Sequence, residues 1–201
     1  MRPLLAKVQT ILDFPVPETW RQLRHFLGMC GYYRGFCRNF AGVVAPLTTL
    51  VSPYSQFAWS SECQESFDAA KALLCSTPVL SAPDFARPFK MEVDASAHGA
   101  GAVLLQEDER GIDHPVCYFS KKFNKHQVNY STIEKEALAL LLALQHFEVY
   151  VGSSSSPVRV YSDHNPLVFL SRMRNNNQRL MRWLLLLQDF DIEIQNPHKR
   201  Y

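Results

Sequence analysis

The spacing of apolar residues changes character near residue 89. Before it, Leu23, Phe26, Leu27 and Cys30 recur at intervals of three and four, the signature of one buried helix face. Thr19, placed after Pro17, is the residue type that caps such a helix. Gly28, Gly31 and Gly35 interrupt the pattern. Each costs about 1 kcal/mol relative to Ala in a helix interior, so they mark either a broken helix or a close approach to a partner. Pro46 and Pro53 bound a short helical piece around 47–51. Ser60 precedes a further helix with the stripe Phe67, Ala70, Leu73 and Leu74, ended by Pro78. Prolines at 78 and 83 make 76–83 a boundary region.

From Phe89 the period becomes two. Phe89, Met91 and Val93 alternate with Lys90, Glu92 and Asp94, which predicts a strand. A second strand is expected over 99–106, a charged turn over 107–111 and a third strand over 116–120, together an antiparallel meander. A helix follows over 132–150, then a serine-rich linker at 153–156, a fourth strand over 158–163, a helix over 178–188 and a fifth strand over 190–194. The order β-β-β-α-β-α-β predicts an α/β fold, a mixed five-stranded sheet with flanking helices, preceded by a small helical segment. No internal repeat is visible.

With 201 residues, 47% hydrophobic and 20% charged, the chain is of ordinary globular composition. That excludes a disordered tail, a collagen-like fibre and a disulfide mini-protein. The longest apolar run, 137–144, is far short of the ~20 residues of a membrane span. Arg2 and Pro3 fall where a signal-peptide core would begin, so a soluble protein without membrane association is expected. Cys30, Cys37, Cys63, Cys75 and Cys117 are scattered, with no Cys-x-x-Cys pair. They read as reduced thiols of an intracellular protein rather than a zinc site or redox dithiol.

The net charge of +2 hides an uneven distribution. Residues 1–57 carry Arg2, Lys7, Arg21, Arg24, Arg34 and Arg38 against Asp13 and Glu18. A second run, Arg172, Arg174, Arg179 and Arg182, contains no acid and is interleaved with Asn175, Asn176, Asn177 and Gln178. Guanidinium forks bind phosphate oxygens through paired hydrogen bonds, so these runs are either nucleic-acid contacts or solvated helix faces.

Asp94 and Asp163 each stand where a strand runs into a turn. If their strands are neighbours, both carboxylates reach one edge of the sheet. On the following helix, stepping 100° per residue from Ile133 puts Ala137, Leu140 and Leu144 within about 40° of the buried centre. Glu136 falls about 60° from that centre and borders the stripe, whereas Glu134 falls near 100° on the other side and is expected to face solvent. Two carboxylates 4 Å apart repel by about 4 kcal/mol at an effective dielectric near 20. Divalent cations remove that penalty, and oxygen-only ligands select Mg²⁺ or Mn²⁺. The matching chemistry is two-metal phosphodiester hydrolysis; the plainer alternative makes both aspartates turn or cap residues.

These residues carry a resemblance. The stretch 23–36 (LRHFLGMCGYYRGF), followed by Phe40 and Ala45-Pro46-Leu47, resembles the thumb of reverse transcriptases from gypsy-type long-terminal-repeat retrotransposons. Phe57-Ala58-Trp59 and the helix to Leu80 resemble the connection after it. The segments 93–96 (VDAS), 99–104 (GAGAVL), 130–139 (YSTIEKEALA) and 162–167 (SDHNPL) are similar to the ribonuclease H domain of that family. The implied division is 1–57 thumb-like, 58–84 connection and 85–201 ribonuclease H-like.

The resemblance implies a ribonuclease H fold and cleavage of the RNA strand of RNA–DNA hybrids, with Asp94, Glu136 and Asp163 as catalytic Mg²⁺ or Mn²⁺ ligands. It implies that Arg34 and Arg38 and the 172–182 arginines contact the hybrid; His164, beside Asp163, is a further candidate contact, although the plain turn residue is the favoured reading. Other parts of a retroelement polyprotein are implied partners. No polymerase palm is recognised, so DNA synthesis is not expected. The family ordinarily continues past the fifth strand into a short helix with a fourth acidic ligand. No Asp or Glu follows Glu193 here, and a weaker hold on the second ion is the expectation. A remnant that only binds nucleic acid or a protein is the alternative reading. Tyr32, Tyr33 and Phe36 are expected to pack in the core rather than stack on bases, as are residues 183–187.

Overall fold

A computed structural model of the chain describes residues 5–52, 56–75, 80–162 and 178–195. Its first part is helical: α1 (Leu5–Leu12), α2 (Trp20–Tyr32), a 3₁₀ turn (Arg34–Phe36), α3 (Phe40–Val43), α4 (Ala45–Leu50) and α5 (Ser61–Cys75). The Thr19 hydroxyl accepts the Gln22 N–H at 3.3 Å and caps α2. Leu23, Phe26 and Cys30 of α2 are fully buried against Leu47, Phe67, Ala70 and Leu74. The rings of Phe26 and Phe67 lie 4.5 Å apart. Each such Leu or Phe contributes roughly 1.5–3 kcal/mol on burial.

Helix α2 runs unbroken through Gly28 and Gly31, and a Cβ at either would meet nothing within 4 Å. Gly35, in the 3₁₀ turn, is the one that approaches a neighbour: a Cβ there would lie 3.5 Å from Cys117 Sγ. Tyr33 and Phe36 pack with the helical core as expected. Tyr32 does not; it is 75% exposed, because one helical step rotates it off the face that Tyr33 shares.

The second part is a five-stranded sheet of order β3-β2-β1-β4-β5. Strands β1 (Phe89–Ala95), β2 (Gly99–Glu107) and β3 (Asp113–Lys122) form the antiparallel meander. β4 (Val158–Tyr161) lies parallel to β1, and β5 (Ile192–Gln195) parallel to β4. β5 starts two residues later than the pattern suggests, because Phe190 still closes the preceding helix through a bond to Leu187 O. The helix expected over 132–150 divides at Phe147, whose ring is fully buried, into α6 (Thr132–His146) and α7 (Glu148–Gly152).

α6 lays Leu140, Leu141 and Leu144 on Phe89, Met91, Val93 and Leu104, which is the main core. α8 (Gln178–Leu187) packs beside it through Leu180, Trp183, Leu184 and Leu187. Residues 183–187 are therefore not all core. Leu185 is 63% exposed and Leu186 40%, since five consecutive helical residues sweep the whole circumference.

The helical region docks on β3. Arg34 Nη2 donates to Ser120 O at 2.6 Å, Ala41 N–H donates to Ser120 Oγ at 3.0 Å, and Lys122 Nζ donates to Thr49 Oγ1 at 2.7 Å. β3 is an edge strand of the sheet, and this contact covers it against unwanted pairing. Cys30, Cys37, Cys63 and Cys117 are free thiols.

Candidate active site

Chain direction brings two of the candidate acids, Asp94 and Glu136, to one edge of the sheet. β1, β3 and β4 all point the same way, so their carboxyl ends share one edge of the sheet. α6 starts shortly after β3 and runs back across the sheet to reach β4, which puts its N-terminal turns at that same edge. Asp94, next to last in β1, and Glu136, in the second turn of α6, are therefore delivered to the carboxyl edge where β1 and β4 lie side by side. In parallel and mixed α/β sheets, ligands bind outside the carboxyl ends of the strands.

The two acids arrive from opposite sides. Phe89, Met91 and Val93 face the α6 core, so the alternate residues Lys90, Glu92 and Asp94 lie on the other face. Asp94 is exposed there, in register with Gly101 of β2 and, through it, Ser120 of β3. Glu136 is only 6% exposed. A carboxylate held this far from bulk water attracts a cation more strongly than one in solvent. Carboxylate oxygens at a strand edge suit Mg²⁺ or Mn²⁺, hard ions that take oxygen donors. Among the described residues no group of three or more His, Cys, Asp or Glu is placed to hold a metal ion. Asp163 and His164 follow Ser162 in the chain and lie outside the described residues, as do Arg172 and Arg174.

Asp94 borders a cleft of about 590 Å³ between the outer face of the sheet and the helical region. Gly101 and Val103 form its floor, and Arg38, Asn39 and Gly42 its helical wall. Tyr118, in register with Val103 and Glu92, faces the same space. Burial pushes the Tyr118 phenol up, while the nearby Arg38 guanidinium works in the opposite direction.

The arginines singled out in the sequence divide into two groups. Arg38 and Arg182 are exposed, and Arg38 lines the cleft. Arg34 is tied to Ser120 O, and Arg179 sits 3.1 Å from Glu134 Oε1 with its guanidinium 4.1 Å above the Tyr130 ring. Glu134 is thus not solvent-facing. Its side chain is only 12% exposed, because it closes the capping box with Ser131 while pairing with Arg179. Lys121 and Lys122, which also line the cleft, escape a reading based on arginine runs. Their signal was the absence of acids: no Asp or Glu occurs over 114–133.

Residues 84–190 match the RNase H-like domain found in reverse transcriptase, and the chain belongs to that family. It is 37% identical over 199 residues to the retrovirus-related Pol polyprotein from transposon opus of Drosophila melanogaster, covering 94% of this chain and 20% of that protein. It is 34% identical over 194 residues to the transposon Tf2-3 polyprotein of Schizosaccharomyces pombe, covering 96% of this chain and 15% of that protein. The chain thus spans about a fifth or less of these relatives' length.

Among solved structures, the foamy viral protease–reverse transcriptase dRH in complex with double-stranded DNA superposes with a TM-score of 0.83 at 20% identity. That match covers 100% of this chain and 36% of the viral one. The foamy viral enzyme in complex with an RNA/DNA hybrid gives 0.81 at 21% identity, covering 98% and 27%. These likenesses establish the mixed five-stranded sheet with flanking helices as an RNase H-like fold. No described helix is long and apolar enough to cross a membrane.

Proposed function

We propose that the chain is a retrotransposon ribonuclease H module that hydrolyses the RNA strand of RNA–DNA hybrids, with Asp94, Glu136 and Asp163 as its metal-binding acids. The observation that carries this reading is the delivery of Asp94 and Glu136 to one carboxyl edge beside the parallel β1–β4 pair. A divalent ion bound there supplies charge neutralisation at the phosphate and a more acidic bound water. The chain's own residues do the rest. Asp94 on the outer face and Glu136 beneath it would hold that ion, and Arg38 across the cleft offers a fork to a neighbouring phosphate. The hybrid-bound foamy viral enzyme shares this fold, which agrees with a duplex substrate. Recognition of such a duplex rests on shape, phosphates and the 2′-hydroxyl rather than on base sequence.

The test is cleavage of an end-labelled RNA–DNA hybrid with Mg²⁺ or Mn²⁺, comparing the chain with Asp94→Asn and Glu136→Gln. Cutting confined to the RNA strand and lost in both variants is expected. Absence of cutting with hybrid binding retained would replace the nuclease reading with one of binding alone.

A further inference from the structure

Part of the positive charge that the arginine pattern offers is consumed within the molecule. Of the four candidate arginines within the described residues, Arg34, Arg38, Arg179 and Arg182, two are engaged within the molecule, Arg34 with Ser120 and Arg179 with Glu134 and Tyr130. On the β3 side of Asp94 the situation is reversed. The chain leaves β3 through Lys121 and Lys122 and continues to Lys125 and His126, all four exposed. Phe123 N–H donates to His98 O at 2.8 Å, which pins the start of this segment to the β1–β2 turn just beyond Asp94. Lys122 reaches back to Ala45 O and Thr49 Oγ1 and braces the helical region. Lys121 lines the cleft with Arg38 and Asp94, and neither its ammonium nor that of Lys125 meets a protein acceptor among the described residues. With no carboxylate over 114–133, nothing along this stretch offsets their charge.

We infer that Lys121 and Lys125, with Arg38 across the cleft, form a phosphate rail that seats one backbone of a nucleic-acid duplex on the β3 side of Asp94. The inference rests on the nuclease reading for the identity of the duplex and goes beyond it in assigning the track. A rail on this side runs along the junction of the helical region and the sheet. Both parts of the chain then grip the same strand, Arg38 from the helices and the lysines from β3 and the turn after it. A polyanion of regular spacing fits such a row, because each lysine displaces one condensed counterion.

The test is fluorescence anisotropy of a labelled RNA–DNA hybrid without divalent metal, titrated with the full chain from 50 to 200 mM salt. Losing two phosphate contacts should lower the slope of log affinity against log salt by about 1.8. The advantage of the unmodified chain over Lys121→Gln/Lys125→Gln should then shrink about 12-fold over that range. Lys121→Arg/Lys125→Arg should restore the slope. Arg110→Gln, in the β2–β3 turn at the opposite edge, should leave it unchanged.

Hybrid binding whose slope ignores the lysines overturns the rail while the nuclease reading stands on its own cleavage assay. A lysine-dependent slope in a chain that cuts no RNA supports the rail and removes the nuclease reading. No hybrid binding at all, or lysine-dependent binding only to anionic phosphatidylserine vesicles, overturns the rail.

Discussion

Two glycines of the segment 99–104 sit one turn of the pleat apart and should respond to the same substitution with opposite signs. A Cβ on Gly99 would fall 2.8 Å from the carbonyl oxygen of Lys121 and 3.5 Å from Lys122 Cα, both backbone atoms of the paired strand. No side chain can swing aside, so β2 and β3 must separate by roughly half an ångström in a ladder packed at crystal density. Overpacking of this kind costs about 1–3 kcal/mol. The loss of unfolded-chain freedom returns about 0.4–1 kcal/mol. Gly99→Ala should therefore destabilise by up to about 2.6 kcal/mol, which lowers Tm by up to roughly 10 °C in a chain of this length.

Gly101 meets nothing within 4 Å, so Gly101→Ala keeps only the favourable contribution and should raise Tm by roughly 1–4 °C. Thermal melts followed by circular dichroism measure both. A Gly99→Ala variant melting at or above the unmodified chain would refute the close-approach argument. Gly101 also pairs with Asp94 and floors the cleft, so its alanine variant should cleave hybrid more slowly while melting higher. That divergence separates a substrate contact from a folding defect.

The orientation of α8 is tested by Leu187→Ala, which should cost about 2–5 kcal/mol, against Leu185→Lys, which should stay within about 0.5 kcal/mol in urea unfolding. Arg179→Met removes a half-exposed ion pair and the stacking over Tyr130, and a loss of about 1 kcal/mol is expected by the same assay. The His146 imidazole is held below its ordinary pKa by burial, with the Arg34 charge adding to the effect, and its ring packs 5.0 Å from Phe119. Its folded form prefers to be neutral, so the stability it contributes is present above pH 6.5 and is lost as pH falls through the lowered value. His146→Phe should flatten the decline of Tm between pH 7 and pH 5.

Local periodicity carried much of the architecture. Alternation in 89–94 and the helical stripe through Leu140 and Leu144 were enough to write the element order, because each depends only on which residues recur at which spacing. The same arithmetic ranked Glu136 above Glu134 as the inward acid, and the structure buries Glu136. It failed on Glu134 itself, since the partners that cover that side chain, Ser131 and Arg179, include one 45 positions away. It failed again at 183–187, where a run of hydrophobic letters has no face until a neighbouring helix selects one.

Local pattern sufficed for the order of strands and helices and for Asp94 near the end of β1. The assembled fold was needed to see that the helical region clasps β3 through Ser120, that a cleft opens between Arg38 and Asp94, and which of the described cations stay available to a ligand. The physical reason is range. Pattern reports a residue's preference for water or core along its own element. Pairing register, chain direction and the consumption of charge by distant partners arise only when elements far apart in sequence are brought together.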